Sequence, residues 1–221
     1  FNKEKTELIC YPGGKTGQYV IPDSVKSIGA SAFENCDSIT SITIPDSVTS
    51  IGYYAFMSCD SLTSVIVGDG ITRISDFAFS YCDSLTSVII GKSLTSIGED
   101  VFRGCSSLTS IEVSENNDTY SSSDGVLFNK DKTALIRSLG GKKGSYVIPD
   151  SVTEIAMHAF YGCSSLTSIS IPDSVTSIGE GAFRDCSSLT SIAIPNSVTS
   201  IGGSAFENCD SLTSIEVSEN N

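Results

Sequence analysis

A short repeat of constant length runs along this chain and limits what it can fold into. Its marker is the dipeptide Ala-Phe (Val-Phe in one copy), followed three residues after the Phe by Cys. A unit as short as the step from Phe33 to Phe56 buries too few side chains to offset the conformational entropy of its own backbone. The units must therefore stack on one another, as the repeats of a solenoid do. The marker Phe stands at Phe33, Phe56, Phe79, Phe102, Phe160, Phe183 and Phe206.

A second alignment shows that one unit is longer than the others. The last apolar residue of the segment L-T-S-I-x-I recurs at the same constant step, except for one longer interval between Val113 and Ile148. The intervening unit lacks Ala-Phe-x-x-Cys and carries G-V-L-F-N-K-D-K-T-A-L-I-R instead. Two apolar runs around a polar turn predict a β-hairpin. The chain opens on the same pattern, since residues 1–6 resemble residues 128–133.

These spacings predict a single solenoid over residues 1–221. Within L-T-S-I-x-I the apolar residues alternate, which predicts a strand with one buried face. Ala, Phe and Cys of A-F-x-x-C fall on one face of a short helix. The expected divisions are a partial long coil with its hairpin at 1–20, coils of the standard length at 21–113, the long hairpin coil at 114–147, and coils of the standard length with a truncated end at 148–221.

The pattern C-x-x-L-x-x-I-x-I resembles the leucine-rich repeat, and A-F-x-x-C and I-P-x-S-V-T-x-I-G resemble its BspA-like, or Treponema-type, subclass. The resemblance implies an α/β fold: a right-handed leucine-rich-repeat solenoid (horseshoe) with a parallel inner sheet, short helical turns outside and β-hairpin insertions. It also implies a surface-exposed protein linked to adhesion. The Asn that usually follows the strand is absent, and a Ser or Gly near that slot, such as Ser47 or Gly70, is expected to replace it.

Composition excludes several classes of function. The chain has 26 acidic and 13 basic residues and a net charge of −13, which argues against binding to a phosphate backbone. His158 is the only histidine, so neither a His pair for zinc nor a Ser-His-Asp triad can be assembled. No apolar run reaches the ~18 residues that a membrane-spanning helix needs. We therefore expect no catalytic residue, metal or cofactor, no nucleic-acid partner and no membrane insertion in this segment.

The repeated cysteines have three interpretations. Equivalent residues in stacked coils lie about 5 Å apart, within reach of a disulfide, but their Cβ vectors are parallel and do not face each other. A zinc site needs four thiolates converging on one point, whereas a ladder spreads them along a line. The favoured interpretation is a ladder of buried free thiols, with a disulfide or a metal site as the alternatives. Cys10 lies outside the ladder and is expected to be exposed.

A column of acidic residues follows the strand, in the position after Pro or Gly. Stacked carboxylates can recruit Ca²⁺, but a calcium site needs six to eight oxygens and the chain has no D-x-[DN]-x-[DN]-G loop. The favoured interpretation is a solvated residue that helps to form the turn. The column contains Asp23, Asp46, Asp69, Asp150 and Asp173.

Two columns of strand residues are expected on the concave face of the horseshoe. One column is almost uniformly Ser, which encodes the scaffold more than a particular ligand. The other varies and places Ile66 next to Ile89, which indicates either an adhesive patch or ordinary β-propensity. The candidate partner-binding residues are Thr43, Ser64, Ile66, Ser87, Ile89, Ser110, Glu112, Ser168, Ser170 and Ala193.

Two functions from different classes fit these observations. The first is a non-enzymatic protein-binding or adhesion module of a bacterial cell-surface or secreted protein, whose partner is a host extracellular protein or another cell-surface protein. The second is a rigid stalk or spacer that presents another domain. The apolar residues Leu212, Ile215 and Val217 continue the repeat without a cap, so we also expect fraying after about Ser211 or weak end-to-end self-association.

Overall fold

The computed structural model describes residues 1–217. The chain divides into two compact units, unit 1 (Phe1–Ser122) and unit 2 (Ser123–Asn221). Each unit is a stack of coils in which equivalent strands of successive coils pair side by side. The prediction of one solenoid with the divisions given above stays a prediction.

Unit 1 contains two parallel sheets of five strands each. We call the sheet of longer strands the main sheet and the sheet of two-residue strands the minor sheet. The main sheet comprises β2 (Gly17–Val20), β4 (Ile39–Ile44), β6 (Ser64–Val67), β8 (Ser87–Ile90) and β10 (Ser110–Val113). The minor sheet comprises β1 (Glu7–Leu8), β3 (Ser27–Ile28), β5 (Ser50–Ile51), β7 (Arg73–Ile74) and β9 (Ser96–Ile97).

Unit 2 repeats this arrangement and adds the predicted hairpin. Its main sheet comprises β14 (Gly144–Val147), β16 (Leu166–Ser170), β18 (Ser191–Ile194) and β20 (Ser214–Val217). Its minor sheet comprises β13 (Ala134–Arg137), β15 (Glu154–Ile155), β17 (Ser177–Ile178) and β19 (Ser200–Ile201). The hairpin consists of β12 (Val126–Asn129) paired antiparallel with β13. One further strand, β11 (Tyr120–Ser123), lies at the boundary of the two units.

The register of the main sheet follows the sequence period. Ile42 pairs with Val65, and Val65 pairs with Val88, each partner lying one repeat further along the chain. Because side chains alternate across a strand, this register keeps every apolar column on the same face. Those side chains are buried, whereas Ile66, which lies one residue after Val65, faces solvent.

The predicted short helices are wrong, because residues 1–217 contain no helix. In the first A-F-x-x-C segment, the N–H of Phe33 donates to the carbonyl of Ala55 and the N–H of Asn35 to that of Met57, at 2.7 and 2.9 Å. Groups bonded to the next coil cannot form the i→i−4 bonds of a helix. The segment instead forms consecutive turns, and the described residues support a parallel-strand solenoid without the α component of an α/β fold.

The core of each unit is built from ladders of identical side chains. The rings of Phe33 and Phe56 stack with centroids 4.6 Å apart, and those of Phe56 and Phe79 with centroids 4.9 Å apart. In unit 2, Phe160 stacks on Phe183 at 5.1 Å. Each ring is buried between the sheets and the turns, so every coil contributes to the core of its neighbours. This packing explains why the repeat tolerates so little variation at the Phe position.

Candidate functional site

The candidate partner-binding residues lie on the solvent-facing side of the two main sheets. In unit 1, Ile66 and Ile89 are 44% and 43% exposed and are neighbours in the register of β6 and β8. Glu112 follows them in the same row and is also exposed. The Ser column is mostly half-buried, which agrees with its scaffold interpretation. Its predicted members are Ser64, Ser87, Ser110 and Ser168, and the remaining candidates are half-buried Thr43 and exposed Ser170 and Ala193.

A shallow depression of about 410 Å³ adjoins the Ile pair of unit 1, at the carboxyl ends of β6, β8 and β10. Gly68 and Gly91 lie in it, at positions that Pro occupies in the two preceding coils. A Cβ on Gly68 would lie 2.5 Å from the carbonyl oxygen of Ile44, so a side chain there would displace backbone. The two glycines therefore permit close coil-to-coil approach, and the missing proline rings leave the depression open.

Carboxylates line the edge of this depression. The Oδ1 of Asp46 accepts the N–H of Asp69 at 2.7 Å, and the Oδ1 of Asp69 accepts the N–H of Lys92 at 3.0 Å. Each carboxylate therefore closes the turn of the next coil, as the turn-forming interpretation predicts. The Nζ of Lys92 also lies 3.6 Å from the Oδ2 of Asp69. Glu112 and Glu115 complete the acidic border.

Unit 2 has a counterpart of about 500 Å³ at the same place in its repeat. It is lined by Asp150, Ile171, Pro172, Asp173 and Ser174. This depression retains the proline of the consensus repeat, and the solvent-facing row beside it holds Ser170 and Ala193 where unit 1 has its two isoleucines. The combination of an exposed apolar pair and an acidic border therefore belongs to unit 1.

The cysteine ladder consists of free thiols. Cys59 and Cys82 are buried, and their Sγ atoms donate to the carbonyls of Phe33 and Phe56 at 3.0 and 3.1 Å. Burial raises the pKa of Cys163 to about 11 and also raises the pKa of Cys186. A buried, protonated thiol is a poor nucleophile and a poor metal ligand. Cys10 is exposed, as predicted.

Two ladders of exposed threonines were missed by the sequence reasoning. The hydroxyl of Thr63 donates to the carbonyl of Thr40 at 2.8 Å, and the hydroxyl of Thr86 donates to that of Thr63 at 2.9 Å. The minor sheet carries the same arrangement, in which Thr72 bonds Thr49. The signal was the Thr that recurs in the segments L-T-S-I/V and V-T-S-I. These bonds join neighbouring coils on the outside of the stack, where apolar burial contributes nothing.

Asn117 was also missed as a structural residue. Its Nδ2 donates to the carbonyls of Gly91 and Leu94 at 3.0 and 3.1 Å, and its Oδ1 accepts the N–H groups of Thr119 and Tyr120 at 2.9 and 2.8 Å. The residue is fully buried. It opens the only Asn-x-Thr sequon, but a buried amide with four such bonds is not presented for glycosylation.

Residues 1–217 contain no group of three or more His, Cys, Asp or Glu side chains placed to hold a metal ion. Within the same range, no helix is present that could cross a membrane. The main sheets also present solvent-facing strand rows, and in unit 1 this row contains the exposed pair Ile66 and Ile89.

The repeat also matches a known family. Residues 10–126 and 142–221 match the BspA-type leucine-rich repeat region in six copies. The chain belongs to the BspA-type leucine-rich repeat family. Among curated proteins, none matches the sequence of this BspA-type chain significantly.

Solved structures of bacterial proteins share its fold. A leucine-rich repeat protein from Eubacterium ventriosum is 30% identical with a TM-score of 0.72, over 90% of this chain and 59% of that protein. The pneumococcal vaccine antigen PcpA is 23% identical with a TM-score of 0.72, over 97% of this chain and 66% of that protein. The leucine-rich repeat protein of T. pallidum is 29% identical with a TM-score of 0.56, over 93% of this chain and 82% of that protein. This BspA-type chain therefore spans about two thirds or less of the first two.

Proposed function

We propose that this chain is a non-enzymatic protein-binding module of a bacterial cell-surface or secreted protein, and that it binds through the solvent-facing row of the unit 1 main sheet. The exposed pair Ile66 and Ile89 carries the proposal, because two large apolar side chains stand side by side beside an open depression. In a protein interface, a few apolar anchors supply most of the affinity and the surrounding polar residues exclude water.

The scaffold around the pair supports this role. Ile66 and Ile89 sit on strands whose register is fixed by backbone bonds on both sides and by buried Val65 and Val88 beneath. A rigid anchor loses little conformational entropy when a partner binds. The half-buried Ser64 and Ser87 of the neighbouring column offer hydroxyls at the margin of the contact.

An extracellular or cell-surface location follows from the same proposal. Family membership and the bacterial sources of the similar structures support a bacterial origin for the chain. The partner would then be a host extracellular protein or another surface protein. Adhesion is one consequence of such binding, and it requires no chemistry from the chain.

A rigid spacer is the second candidate, and the ladders favour it. Phe rings, thiols and Thr hydroxyls each link successive coils of the standard length, so the resistance to bending is distributed along these coils. A spacer needs no binding row. A binding module needs Ile66 and Ile89 for its affinity, whereas a spacer functions without them.

The test is a binding screen of the whole chain against immobilised extracellular-matrix and plasma proteins, followed by substitution. The variant Ile66→Thr/Ile89→Thr introduces the residue found at Thr43 in the same row, so the strands remain intact. We expect it to weaken any captured partner at least about ten-fold, since each anchor contributes more than about 1 kcal/mol. The matched control Ser170→Thr/Ala193→Thr changes the equivalent row of unit 2 and should have no effect. Equal binding by both variants would contradict the proposed row.

A further inference from the structure

The turns of unit 1 carry exposed aromatic side chains that lie outside the solvent-facing row of the main sheet. We call that row, with Ile66 and Ile89, the strand row. Tyr53, Tyr54 and Tyr81 are exposed, and Phe77 is half-buried. All four lie in the consecutive turns of two neighbouring coils, 53–58 and 76–81. We call these four residues the aromatic turn face.

Three of these residues occupy backbone positions that aromatic residues rarely take. Tyr54, Phe77 and Tyr81 have φ values of 56°, 56° and 59°, in the left-handed region. That region is unfavourable for bulky side chains and is used by Gly, Asn or Asp in most turns. At the equivalent positions the chain otherwise carries small or polar residues, with His158 as the exception. They are Ser31, Asn35, Ser58, Asp100, Gly104, Gly162, Gly181, Asp185, Ser204 and Asn208.

The aromatic residues therefore oppose the local conformational preference without filling the core. Their rings are also ordered relative to one another. Tyr54 and Phe77 stack with centroids 5.4 Å apart and an interplanar angle of 15°. Tyr81 lies against Gly104, where a Cβ would meet its ring at 2.5 Å. The glycine of the next coil thus makes room for the ring. The aromatic turn face is therefore an ordered surface, which we call the platform.

The chain itself shows what this surface accepts. The guanidinium carbon of Arg103 lies 6.0 Å from the centroid of the Tyr81 ring, within the range of a cation–π contact. The same guanidinium lies 3.4 Å from a carboxylate oxygen of Asp100. A ring face beside a carboxylate is therefore already used here to hold a cation.

Carboxylates lie next to the platform residues along the chain. Asp76 and Glu99 follow Tyr53 in the same column of successive coils, and the Oδ1 of Asp76 accepts the N–H of Glu99 at 3.1 Å. Directly after the turns, burial and the charges of Asp37 and Asp83 raise the pKa of Asp60, so these two carboxylates lie close enough to Asp60 to repel it. The turns of the two coils thus combine π faces with negative charge.

We propose that the aromatic turn face binds a cationic segment of a partner protein, with Arg or Lys side chains over the stacked rings of Tyr54 and Phe77, beside the Tyr81 ring that Arg103 already covers, and with their charges directed at the neighbouring carboxylates. Cation–π contact and charge complementarity both favour such a segment. The equivalent turns of unit 2 have His158, Gly181 and Ser204 at these positions, which do not form a stacked aromatic pair. This surface is separate from the strand row and does not depend on it.

The probe is a fluorescein-labelled hexa-arginine peptide, measured by anisotropy with the whole chain at about 150 mM salt, where the general attraction of a charged surface is screened. The test variant is Tyr54→Ser/Phe77→Ser/Tyr81→Asn. It leaves the net charge of −13 unchanged and uses residues that other coils carry at these positions. We expect at least about ten-fold weaker binding, with an unchanged or higher melting temperature, because Ser and Asn suit the left-handed backbone better.

Two controls locate the binding. The variant Asp150→Asn/Asp173→Asn removes two charges from unit 2, and Ile66→Thr/Ile89→Thr alters the strand row; both should bind the peptide within about two-fold of the native chain. Unchanged affinity of the triple variant, or an equal loss in either control, would overturn the proposal. In the native chain, NMR signals of Tyr54, Phe77 and Tyr81 should shift on titration, and shifts confined to other residues would also overturn it. If the triple variant lost binding to a neutral oligosaccharide and kept its affinity for the peptide, the proposal would fail and the face would be assigned to a glycan.

Discussion

Two segments of this protein have the same sequence and different surroundings. Residues 108–117 in unit 1 and 212–221 in unit 2 are identical at all ten positions. Both contribute the last strand of a parallel main sheet, β10 and β20, and each of these strands pairs with an earlier strand of its own unit. Nevertheless, Ile111 is 1% exposed, whereas Ile215 is 48% exposed.

The difference comes from what lies over the strand. In unit 1 the chain folds back after β10: Asn117 bonds the preceding coil, the hydroxyl of Tyr120 accepts the N–H of Ile97, and the Oγ of Ser122 accepts the N–H of Val113. Within residues 1–217, β20 has no such cover. The repeat sequence therefore defines the shape of a coil, but the next layer determines whether that coil belongs to the core.

The largest expected effect compares the middle of a stack with its end. Phe56→Ala should destabilise the protein by about 3–5 kcal/mol, because Phe56 is buried between Phe33 and Phe79. Phe206→Ala should cost clearly less, because among residues 1–217 Phe206 stacks on Phe183 alone and is partly exposed. Chemical denaturation measures both, with Ser64→Ala as a control within about 0.5 kcal/mol. Equal losses of unfolding free energy for the two Phe variants would contradict the claim that a neighbouring coil on each side stabilises the ring.

The second prediction concerns the segment 117–122, which covers β10 in unit 1. Asn117→Ala leaves two carbonyls and two N–H groups, of which that of Tyr120 is buried, without their partner, so we expect a loss of about 3 kcal/mol. The adjacent Asn116 is exposed, and Asn116→Ala should change little. If the cover is lost, amide exchange of Ile111 should accelerate as well. A small effect of Asn117→Ala would mean that other residues hold the segment in place.

The third prediction concerns pH and the buried thiols. Because burial raises the pKa of Cys163 to about 11, the thiol ionises more readily in the unfolded chain, where its pKa is about 8.5. Its contribution is fully present below pH 8.5 and is lost as the pH rises towards 11. Cys163→Ala should flatten the fall in unfolding free energy over this range by on the order of 2 kcal/mol. Cys10→Ala is the exposed control, and an identical slope for both variants would contradict the prediction.

The smallest expected effect tests the threonine ladders. Thr86→Val keeps the shape of the side chain and removes the hydroxyl that donates to Thr63, so we expect a loss of about 0.5–1.5 kcal/mol. Thr213→Val removes the matching bond to Thr190 at the exposed end of unit 2 and should cost less. A stabilising effect of Thr86→Val would show that β-propensity outweighs the hydrogen bond.

Much of this fold was predictable because the repeated residues determine the strands and their pairing. The alternation at Ile42, Val65 and Val88 identified the buried face, and the constant length of the repeat fixed the register. The helix prediction failed because A-F-x-x-C spacing also fits consecutive turns. Only the neighbouring coil, which accepts the N–H of Phe33, decides between them.

The candidate site was predictable in part. The exposed pair Ile66 and Ile89 follows from the strand alternation, and the structure places both side chains in solvent. The depression beside them was not anticipated, although Gly68 and Gly91 interrupt a column of prolines. The hydrogen bonds of Asn117 depend on a reversal of the chain after β10, which no local sequence pattern predicts.

Hydrogen exchange of the two identical segments tests the central claim most directly. Residues 108–113 and 212–217 have the same intrinsic exchange chemistry apart from the residues that flank them, so any difference in rate reports the layer above each strand. We predict that the amides of 212–217 exchange at least about ten-fold faster than those of 108–113. Equal protection of the two segments would contradict the claim that stacking, and not the repeat sequence itself, orders each coil.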